Sequence, residues 1–259
     1  MCKGGEEMSF SDGRLSEKVI GNALSGVAVK VYSEIDSTNT EAKRLTAVGH
    51  KTPVLLLAES QTAGRGRMGR QFFSPENAGL YMSFMYCPET SFDDSVTVTS
   101  AAAVAVAKAI EELTDLKPQI KWVNDIYIGG KKVCGILTEA VTGQKTHIIV
   151  GIGINITTEA FPDEIKAIAS SLGKSVDRNE LAILIVKNLI RLIAELPDRT
   201  FIEDYRQRSL VLGKEVIFTS KDHQQTGRAV GIDRDGGLMV ETSDGTVVLN
   251  TGEISLKIV

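Results

Sequence analysis

Residues 119–139, QIKWVNDIYIGGKKVCGILTE, determine how the middle of this chain folds. Apolar runs stand on both sides of Gly129-Gly130, and a Gly-Gly pair between two such runs predicts a β-hairpin with a two-residue turn. In that register Asp125 pairs with Cys134. Side chains alternate between the two faces of a strand, so one face of the hairpin carries several polar groups together. These are Asp125, Tyr127 and Lys132.

Hydrophobic periodicity outside the hairpin predicts mixed helices and strands as far as about residue 208. The predicted helices cover residues 16–25, 38–49, 93–113, 177–196 and 201–210, and the predicted strands cover residues 27–32, 53–59, 80–87, 119–123, 133–139 and 146–156. Farther on, short strands alternate with turns at residues 220–222, 235–237 and 244–245. We therefore predict an α+β fold: residues 1–208 form a mixed β-sheet domain flanked by helices, and residues 209–259 form a small SH3-like β-barrel.

Composition excludes several classes of protein. The 259 residues are 42% hydrophobic and 24% charged, which is ordinary for a globular chain and excludes a disordered one. The net charge of −4 gives no overall attraction to nucleic acid or to a membrane surface. Cys2, Cys87 and Cys134 are too far apart for a disulfide framework or a zinc site. No apolar segment near the start resembles a secretory signal, so we expect a cytoplasmic protein.

The segment Gly64-Arg65-Gly66-Arg67-Met68-Gly69-Arg70 matches the G-x-G-x-x-G pattern of dinucleotide-binding folds. That pattern requires a helix to begin there, and the following residues 71–75, QFFSP, cannot begin one. A glycine loop with three arginines is suited to closing over a phosphorylated ligand. A solvated basic loop and a loop that contacts nucleic acid phosphates remain alternatives.

Two further clusters are ambiguous when each is considered alone. Ser37-Thr38-Asn39 precedes a predicted helix, and Thr38 with Glu41 forms a capping box, although hydroxyls at a helix start also suit a polar ligand. Lys132 lies diagonal to Asp125 in the predicted hairpin. Such a pair is more often structural than catalytic.

Taken together and in order, these motifs resemble the biotin protein ligases. The residues that carry the resemblance are Ser37-Thr38-Asn39, Gln61 with Gly64-Arg65-Gly66-Arg67 and Gly69-Arg70, Lys121-Trp122 with Asn124-Asp125, Lys132 with Gly135-Ile136-Leu137, Gly151 with Gly153-Ile154-Asn155, and Gly252-Glu253-Ile254-Ser255. The resemblance extends from about residue 27 to the C-terminus. It implies a class II synthetase-like catalytic domain that makes biotinyl-5′-AMP from biotin and ATP with Mg²⁺ and then transfers biotin to one lysine of a biotin carboxyl carrier protein.

The resemblance also implies a role for each matching residue. The implied biotin-binding residues are Ser37, Thr38, Asn39, Gln61, Gly64, Arg65, Gly66, Arg67, Lys132 and Gly135. The implied ATP and adenylate residues are Arg67, Arg70, Asn124, Lys132 and Asn155. The implied catalytic residues are Lys132, Asp125, Arg65 and Arg67. Within these sets, Lys132 lies at the biotin carboxylate and α-phosphate, Asn155 lies near the adenine, and Asp125 handles the incoming lysine. No resident metal site is implied.

Two other functions are weighed against this one. A lipoate-protein ligase shares the catalytic fold, but its apolar dithiolane ring does not need the Ser37, Thr38 and Gln61 hydrogen-bonding set. A nucleic-acid-binding module that uses the basic loop is disfavoured by the acidic net charge. Only 36 residues precede Ser37, so we expect a monofunctional ligase that does not bind DNA or a membrane. A homodimer is compatible with the sequence.

Overall fold

The structure, a computed structural model, describes residues 13–88, 95–220, 223–250 and 254–256. The helices are α1 (Glu17–Ala23), α2 (Thr38–Ala47), α3 (Ser95–Leu113), α4 (Arg178–Ala194) and α5 (Phe201–Gln207). The strands are β1 (Ala28–Ile35), β2 (Val54–Gln61), β3 (Gly79–Tyr86), β4 (Gln119–Lys121), β5 (Asp125–Ile128), β6 (Lys131–Val141), β7 (His147–Asn155), β8 (Glu215–Ser220), β9 (His223–Ile232), β10 (Leu238–Thr242), β11 (Gly245–Leu249) and β12 (Ile254–Leu256). The predicted α+β class is confirmed.

The first seven strands form one mixed sheet in the order β1-β2-β3-β7-β6-β5-β4. Only β1 and β2 run parallel, and every other pair of neighbours is antiparallel. Helices cover both faces, as the continuous apolar run in β2 requires. Leu55 and Leu57 belong to the large core that contains α3 and α4, whereas Val54 and Leu56 pack with Ala42 of α2.

The last five strands form a separate antiparallel sheet in the order β11-β10-β9-β8-β12. The sheet contacts the first domain through the turn that joins β9 to β10. The indole nitrogen of Trp122 donates a hydrogen bond to Gly236 O at 2.9 Å, and the Thr97 hydroxyl donates to Asp235 O at 2.9 Å.

Three predictions lie outside the described residues: the helix start at residue 93, the turn at 221–222 and the motif residues 252–253. The domain boundary at 208/209 stays a prediction.

The central hairpin has the predicted Gly129-Gly130 turn but not the whole predicted register. Tyr127 pairs with Lys132 as expected, whereas Asp125 pairs with Gly135 rather than with Cys134. The ladder shifts by one residue at an irregularity between Ile126 and Tyr127. A bulge places one extra residue opposite its partner strand, which a count of residues from the turn cannot reveal. The strand predicted over residues 119–123 is also shorter: β4 ends at residue 121 and β5 begins at 125.

The start of α2 differs from the predicted capping box. Ser37, not Thr38, is the N-cap residue, and its side chain makes no capping hydrogen bond. Thr38 lies in the first turn, where its backbone N–H donates to Gln61 Oε1 at 2.9 Å. A side chain from the neighbouring strand thus satisfies a donor that capping would otherwise satisfy. The predicted cap of α4 is confirmed, since Asp177 accepts from the N–H groups of Asn179 and Glu180.

A buried ion pair connects α4 to the sheet. Arg178 and Glu59 are both buried, and Arg178 Nη1 lies 2.6 Å from Glu59 Oε2. The same guanidinium donates to Gly13 O at 2.9 Å and to Gly79 O at 3.2 Å. These contacts hold the N-terminal segment, β2 and β3 to one side chain.

None of the helices within the described ranges has the length and apolarity that a bilayer crossing requires.

Replacing Arg178 with Met should lower the free energy of unfolding by about 3–5 kcal/mol, because the Glu59 carboxylate would stay buried without its counter-charge. The measurement is urea unfolding at neutral pH. Arg191→Met provides the matched control, since Arg191 lies on the same helix in a half-exposed pair with Glu195. We expect the control to unfold almost as the parent does. Equal effects of the two substitutions would contradict the structural importance of the buried pair.

Candidate active site

A single cavity collects most of the residues that the sequence singled out. Its volume is about 170 Å³, and it opens between the mixed sheet, the loop over residues 64–72 and the segment over residues 161–169. The lining residues predicted from the sequence are Ser37, Thr38, Asn39, Gln61, Arg65, Gly66, Arg67, Arg70, Asn124, Asp125, Lys132, Gly135 and Asn155. Gly64 is the one predicted residue that does not line the cavity. It is buried at the start of the loop.

The polar end of the cavity consists of Ser37, Thr38, Asn39 and Gln61. Parallel pairing of β1 with β2 sets Ile35 opposite Gln61, so the start of α2 lies beside the end of β2. Gln61 Nε2 donates to the Ser74 hydroxyl at 2.9 Å, which fixes the amide with Oε1 toward Thr38. The result is a set of rigid hydroxyl and amide groups at one end of the cavity.

Two residues behind the polar end were not anticipated from the sequence. Ser83 Oγ lies 2.7 Å from Thr38 Oγ1 and 2.6 Å from Asn39 Oδ1. Glu139 Oε2 accepts from Asn39 Nδ2 at 3.0 Å. A serine inside the apolar strand residues 79–86, GLYMSFMY, is the one sequence signal that pointed to Ser83. Nothing local marked Glu139, because its partners come from distant segments.

The glycine-arginine loop is a compact hairpin rather than the start of a helix. Phe72 N donates to Gly64 O at 2.9 Å, and Gly66 N donates to Arg70 O at 2.8 Å. One 3-10 turn at Arg67–Gly69 stands where a dinucleotide fold would begin its helix. The prediction that this loop does not belong to a dinucleotide-binding fold is therefore confirmed.

Two arginines of the loop reach groups on the sheet side of the cavity. Arg65 Nη2 lies 3.2 Å from Glu139 Oε1, and Arg67 Nη1 donates to Asn124 Oδ1 at 3.1 Å. Burial would raise the pKa of Glu139, but hydrogen bonds from Lys43 and Asn39 outweigh burial and hold that pKa below its ordinary value. Glu139 is therefore a carboxylate at neutral pH, with Arg65 beside it.

The ion-pair end of the cavity consists of Lys132 and Asp125, whose Nζ and Oδ1 atoms are 2.7 Å apart. Lys132 lies over Gly135, where an added Cβ would come within 3.2 Å of Nζ. The bulge in the hairpin brings Asp125 opposite Gly135 and so beside the ammonium group. The two side chains therefore share one face of the hairpin, as predicted from the sequence, although the register of the hairpin differs from the predicted one.

Hydrogen bonds fix the segment that carries Asp125. The Tyr205 hydroxyl donates to Val123 O at 3.1 Å, and burial raises the pKa of this phenol, so it remains protonated. Asn124 Nδ2 donates to Ile136 O at 2.9 Å. With the indole of Trp122 bound to the second domain, consecutive residues of the segment are each held by a different element. Asp125 is therefore presented from a rigid backbone.

A third part of the cavity lies at Asn155. Its Nδ2 donates to Ser170 O at 3.1 Å, whereas its buried Oδ1 has no hydrogen-bond partner within the described part of the chain. Apolar side chains of Phe73, Phe161 and Ile165 also line the cavity. A buried acceptor without a partner is costly, so the Asn155 Oδ1 atom suits a ligand N–H group.

Comparisons with known proteins agree with this geometry. The Biotin/lipoate A/B protein ligase family matches residues 31–155, and the Biotin protein ligase C terminal domain matches residues 211–257. The bifunctional ligase/repressor BirA of Bacillus subtilis is 34% identical over 262 residues, which cover 94% of this chain and 80% of BirA. The biotin–[acetyl-CoA-carboxylase] ligase of Mycobacterium tuberculosis is 29% identical over 252 residues, which cover 93% of this chain and 93% of that ligase.

Solved structures show the same fold. The biotin protein ligase from Aquifex aeolicus in complex with biotin and ATP superimposes with a TM-score of 0.78 at 33% identity, over 88% of this chain and 98% of that one. The biotin protein ligase from Leishmania major in complex with biotinyl-5-AMP has a TM-score of 0.60 at 25% identity, over 85% of this chain and 98% of that one. These similarities confirm the mixed sheet with a small C-terminal antiparallel sheet.

Gly64 provides a test of how tightly the loop is packed. An added Cβ would lie 2.4 Å from Phe72 O, a backbone atom that the loop's own hydrogen bonds hold in place. We expect Gly64→Ala to lower the free energy of unfolding by about 1–3 kcal/mol, as overpacking does. Gly143→Ala is the control, because the nearest atom to its Cβ is 3.9 Å away. Equal effects of the two substitutions in denaturant titrations would show that the packing around Gly64 is unimportant.

Proposed function

This chain belongs to the biotin protein ligase family and acts as an ATP-dependent biotin ligase; we propose how its own residues carry the two steps of that reaction. The observation that carries the proposal is the shape of the cavity: a rigid polar end, an ion-pair end with Lys132, and a third part at Asn155. Biotin combines a polar ureido ring with a carboxylate at the end of an aliphatic chain. The cavity has matching groups in a matching order.

In the first step, a biotin carboxylate oxygen attacks the α-phosphorus of ATP. The new P–O bond forms while the bond to the β-phosphate oxygen breaks, and pyrophosphate leaves. The Lys132 ammonium lies where it can hold both anions and stabilise the charge that develops between them. Arg67 and Arg70 also line the cavity, and their guanidinium groups are the proposed partners of the phosphate oxygens.

The polar end and Asn155 fix the two ends of the resulting biotinyl-5′-AMP. Ser37, Thr38, Asn39 and Gln61 surround the ureido ring, Gly64 and Gly66 shape the loop that covers biotin, and Gly135 leaves room for the ligand beneath Lys132. Asn155 Oδ1 accepts from the amino group of adenine, which satisfies its unpaired acceptor. Arg65 and Arg67 close the loop side, where they keep water from the mixed anhydride.

We propose that Mg²⁺ enters with the phosphates of ATP and not as a resident metal. Within the described ranges, no three His, Cys, Asp or Glu side chains are grouped to hold an ion. Mg²⁺ in ATP-dependent enzymes is held by substrate phosphates with one or two carboxylates. This arrangement fits a site whose nearest carboxylate, Asp125, is already paired with Lys132.

In the second step, an amine attacks the acyl carbon of biotinyl-5′-AMP, the amide bond forms, and AMP leaves. The proposed acceptor is one lysine of a biotin carboxyl carrier protein in the cytoplasm. Its ammonium must lose a proton before it can attack, and Asp125 is the carboxylate at the reacting end of the cavity. The rigid segment over residues 122–125 holds that carboxylate in place.

The alternatives fit less well. A dithiolane ring would leave the hydrogen-bonding groups of the polar end without partners, which disfavours lipoate. Arg65 is already paired with Glu139 and Arg67 is bonded to Asn124, so neither guanidinium is reserved for nucleic acid phosphates. The direct test is pyrophosphate release from ATP with biotin and, separately, with lipoate. Release with biotin alone supports the proposal, and release with lipoate alone overturns it.

Lys132→Ala should slow adenylate formation by about 10²–10³-fold while weakening biotin binding much less, because its charge is needed most in the transition state. Single-turnover formation of biotinyl-AMP and equilibrium biotin binding are the two measurements. Lys131→Ala is the matched control, since it removes the same charge from the adjacent, exposed position. Parallel losses of rate and of affinity in Lys132→Ala would reduce this lysine to a binding group.

Asp125→Asn should slow the second step more than the first. The amide is nearly isosteric with the carboxylate but is a far weaker base, so we expect transfer to fall by about 10²–10³-fold. The experiment times transfer from preformed, enzyme-bound biotinyl-AMP to the carrier in one turnover. Adenylate formation in the same variant serves as the internal control. Normal transfer with failed adenylation would assign Asp125 to the first step instead.

A further inference from the structure

Glu139 lies on β6 outside the cavity lining, yet it contacts three groups that belong to or border the site. Its Oε1 receives Lys43 Nζ at 2.7 Å and Arg65 Nη2 at 3.2 Å, and its Oε2 accepts from Asn39 Nδ2 at 3.0 Å. A carboxylate has no proton to donate, so Asn39 must turn its NH₂ group toward Glu139. This orientation leaves Asn39 Oδ1 facing the buried Ser83 hydroxyl.

The chemistry of these groups fixes the direction of the next two hydrogen bonds. Ser83 has one hydroxyl proton but two short contacts, at 2.6 Å to Asn39 Oδ1 and at 2.7 Å to Thr38 Oγ1. Asn39 Oδ1 can only accept, so the Ser83 proton lies on that contact. The 2.7 Å contact with Thr38 then takes the Thr38 proton, in preference to the longer contact of 3.3 Å between Thr38 Oγ1 and Gln61 Oε1. Hydrogen bonds therefore run from Thr38 to Ser83, from Ser83 to Asn39, and from Asn39 to Glu139.

This direction determines what the cavity offers to a ligand. The Thr38 hydroxyl donates its one hydrogen bond to Ser83, so toward a ligand it can only accept. Gln61 Oε1 is also an acceptor, because Ser74 fixes the other side of that amide. Both groups line the polar end of the cavity. Two acceptors side by side match a ligand edge that carries N–H groups, as a ureido ring does.

We infer that Glu139 is a positioning residue for ligand selection: through Asn39 and Ser83 it compels Thr38 to act as an acceptor toward a ureido N–H. The inference rests on the proposed function, since it assigns the ureido ring to the polar end. A site of this kind rejects a ligand in which an acceptor replaces the N–H, because two lone pairs would then face each other without a proton.

Gly151 leaves the space that the hydrogen bond between Ser83 and Asn39 requires. An added Cβ at that position would lie 2.0 Å from Asn39 Oδ1, so the absence of a side chain is what lets Asn39 reach Ser83. The Lys43 ammonium bonds to Glu139 Oε1, and within the described residues it makes no hydrogen bond to the side chain of Asn39 or Ser83. It therefore offers a control that removes a partner of Glu139 without changing the hydrogen bond to Asn39.

The experiment compares the binding of biotin with that of its two cyclic carbamate analogues, in each of which one ureido N–H is replaced by oxygen. Isothermal titration of the full chain, without ATP, measures the three affinities. The parent should prefer biotin by on the order of 100-fold over the analogue altered at the Thr38 side. In Glu139→Leu and in Ser83→Ala, the Thr38 hydroxyl becomes free to donate, so that preference should fall about tenfold or more. Lys43→Met should keep the preference of the parent.

The ratio of the affinities for biotin and for the analogue separates a change in ligand selection from a loss of packing. A loss of packing weakens the binding of biotin and of the analogue alike. Thermal unfolding shows that each variant is folded. An unchanged ratio in folded Ser83→Ala overturns the inference. A fall in Glu139→Leu that Ser83→Ala does not share also overturns it, because Glu139 would then act through Arg65. A parent that binds neither biotin nor an analogue instead overturns the proposed function.

Discussion

The parallel pairing of β1 with β2 is the constraint on which the site depends. In an otherwise antiparallel sheet, this one parallel pair brings the carboxyl ends of two strands to the same edge. The start of α2 follows one strand, and Gln61 ends the other. Neither segment could form the polar end alone, because the Thr38 N–H finds its acceptor on Gln61. A one-residue shift of this ladder would turn Gln61 to the other face of the sheet.

The hairpin that was read from the sequence shows what local pattern can and cannot supply. The Gly129-Gly130 turn and the shared face of Lys132 and Asp125 follow from turn chemistry and strand alternation. The pairing of Asp125 with Gly135 does not, because a bulge depends on the packing of both strands. The capping box failed for a related reason: a hydrogen bond from another strand replaced a local one.

Ser83 and Glu139 mark the larger limit of prediction from sequence. Their contacts with Asn39 span 44 and 100 positions of the chain. Motifs report groups that lie close together in sequence, whereas the support behind a site is assembled by the topology of the sheet. The order of the motifs was enough to identify the family and the cavity residues. It could not show which buried groups determine how those residues present their protons.

Two cations that line the cavity are each paired with a carboxylate of the protein. Arg65 lies beside Glu139, and Lys132 lies beside Asp125. An anionic ligand must therefore replace a protein carboxylate as the partner of each cation, which lowers affinity but keeps the cations in place. The exchange at Lys132 begins from a cation whose place the protein has already set. Its Nζ lies 2.7 Å from Asp125 Oδ1, and hydrogen bonds to Val123 O and from the Asn124 amide hold the backbone that carries Asp125. The cation is therefore positioned by the fold and not by the ligand that it receives.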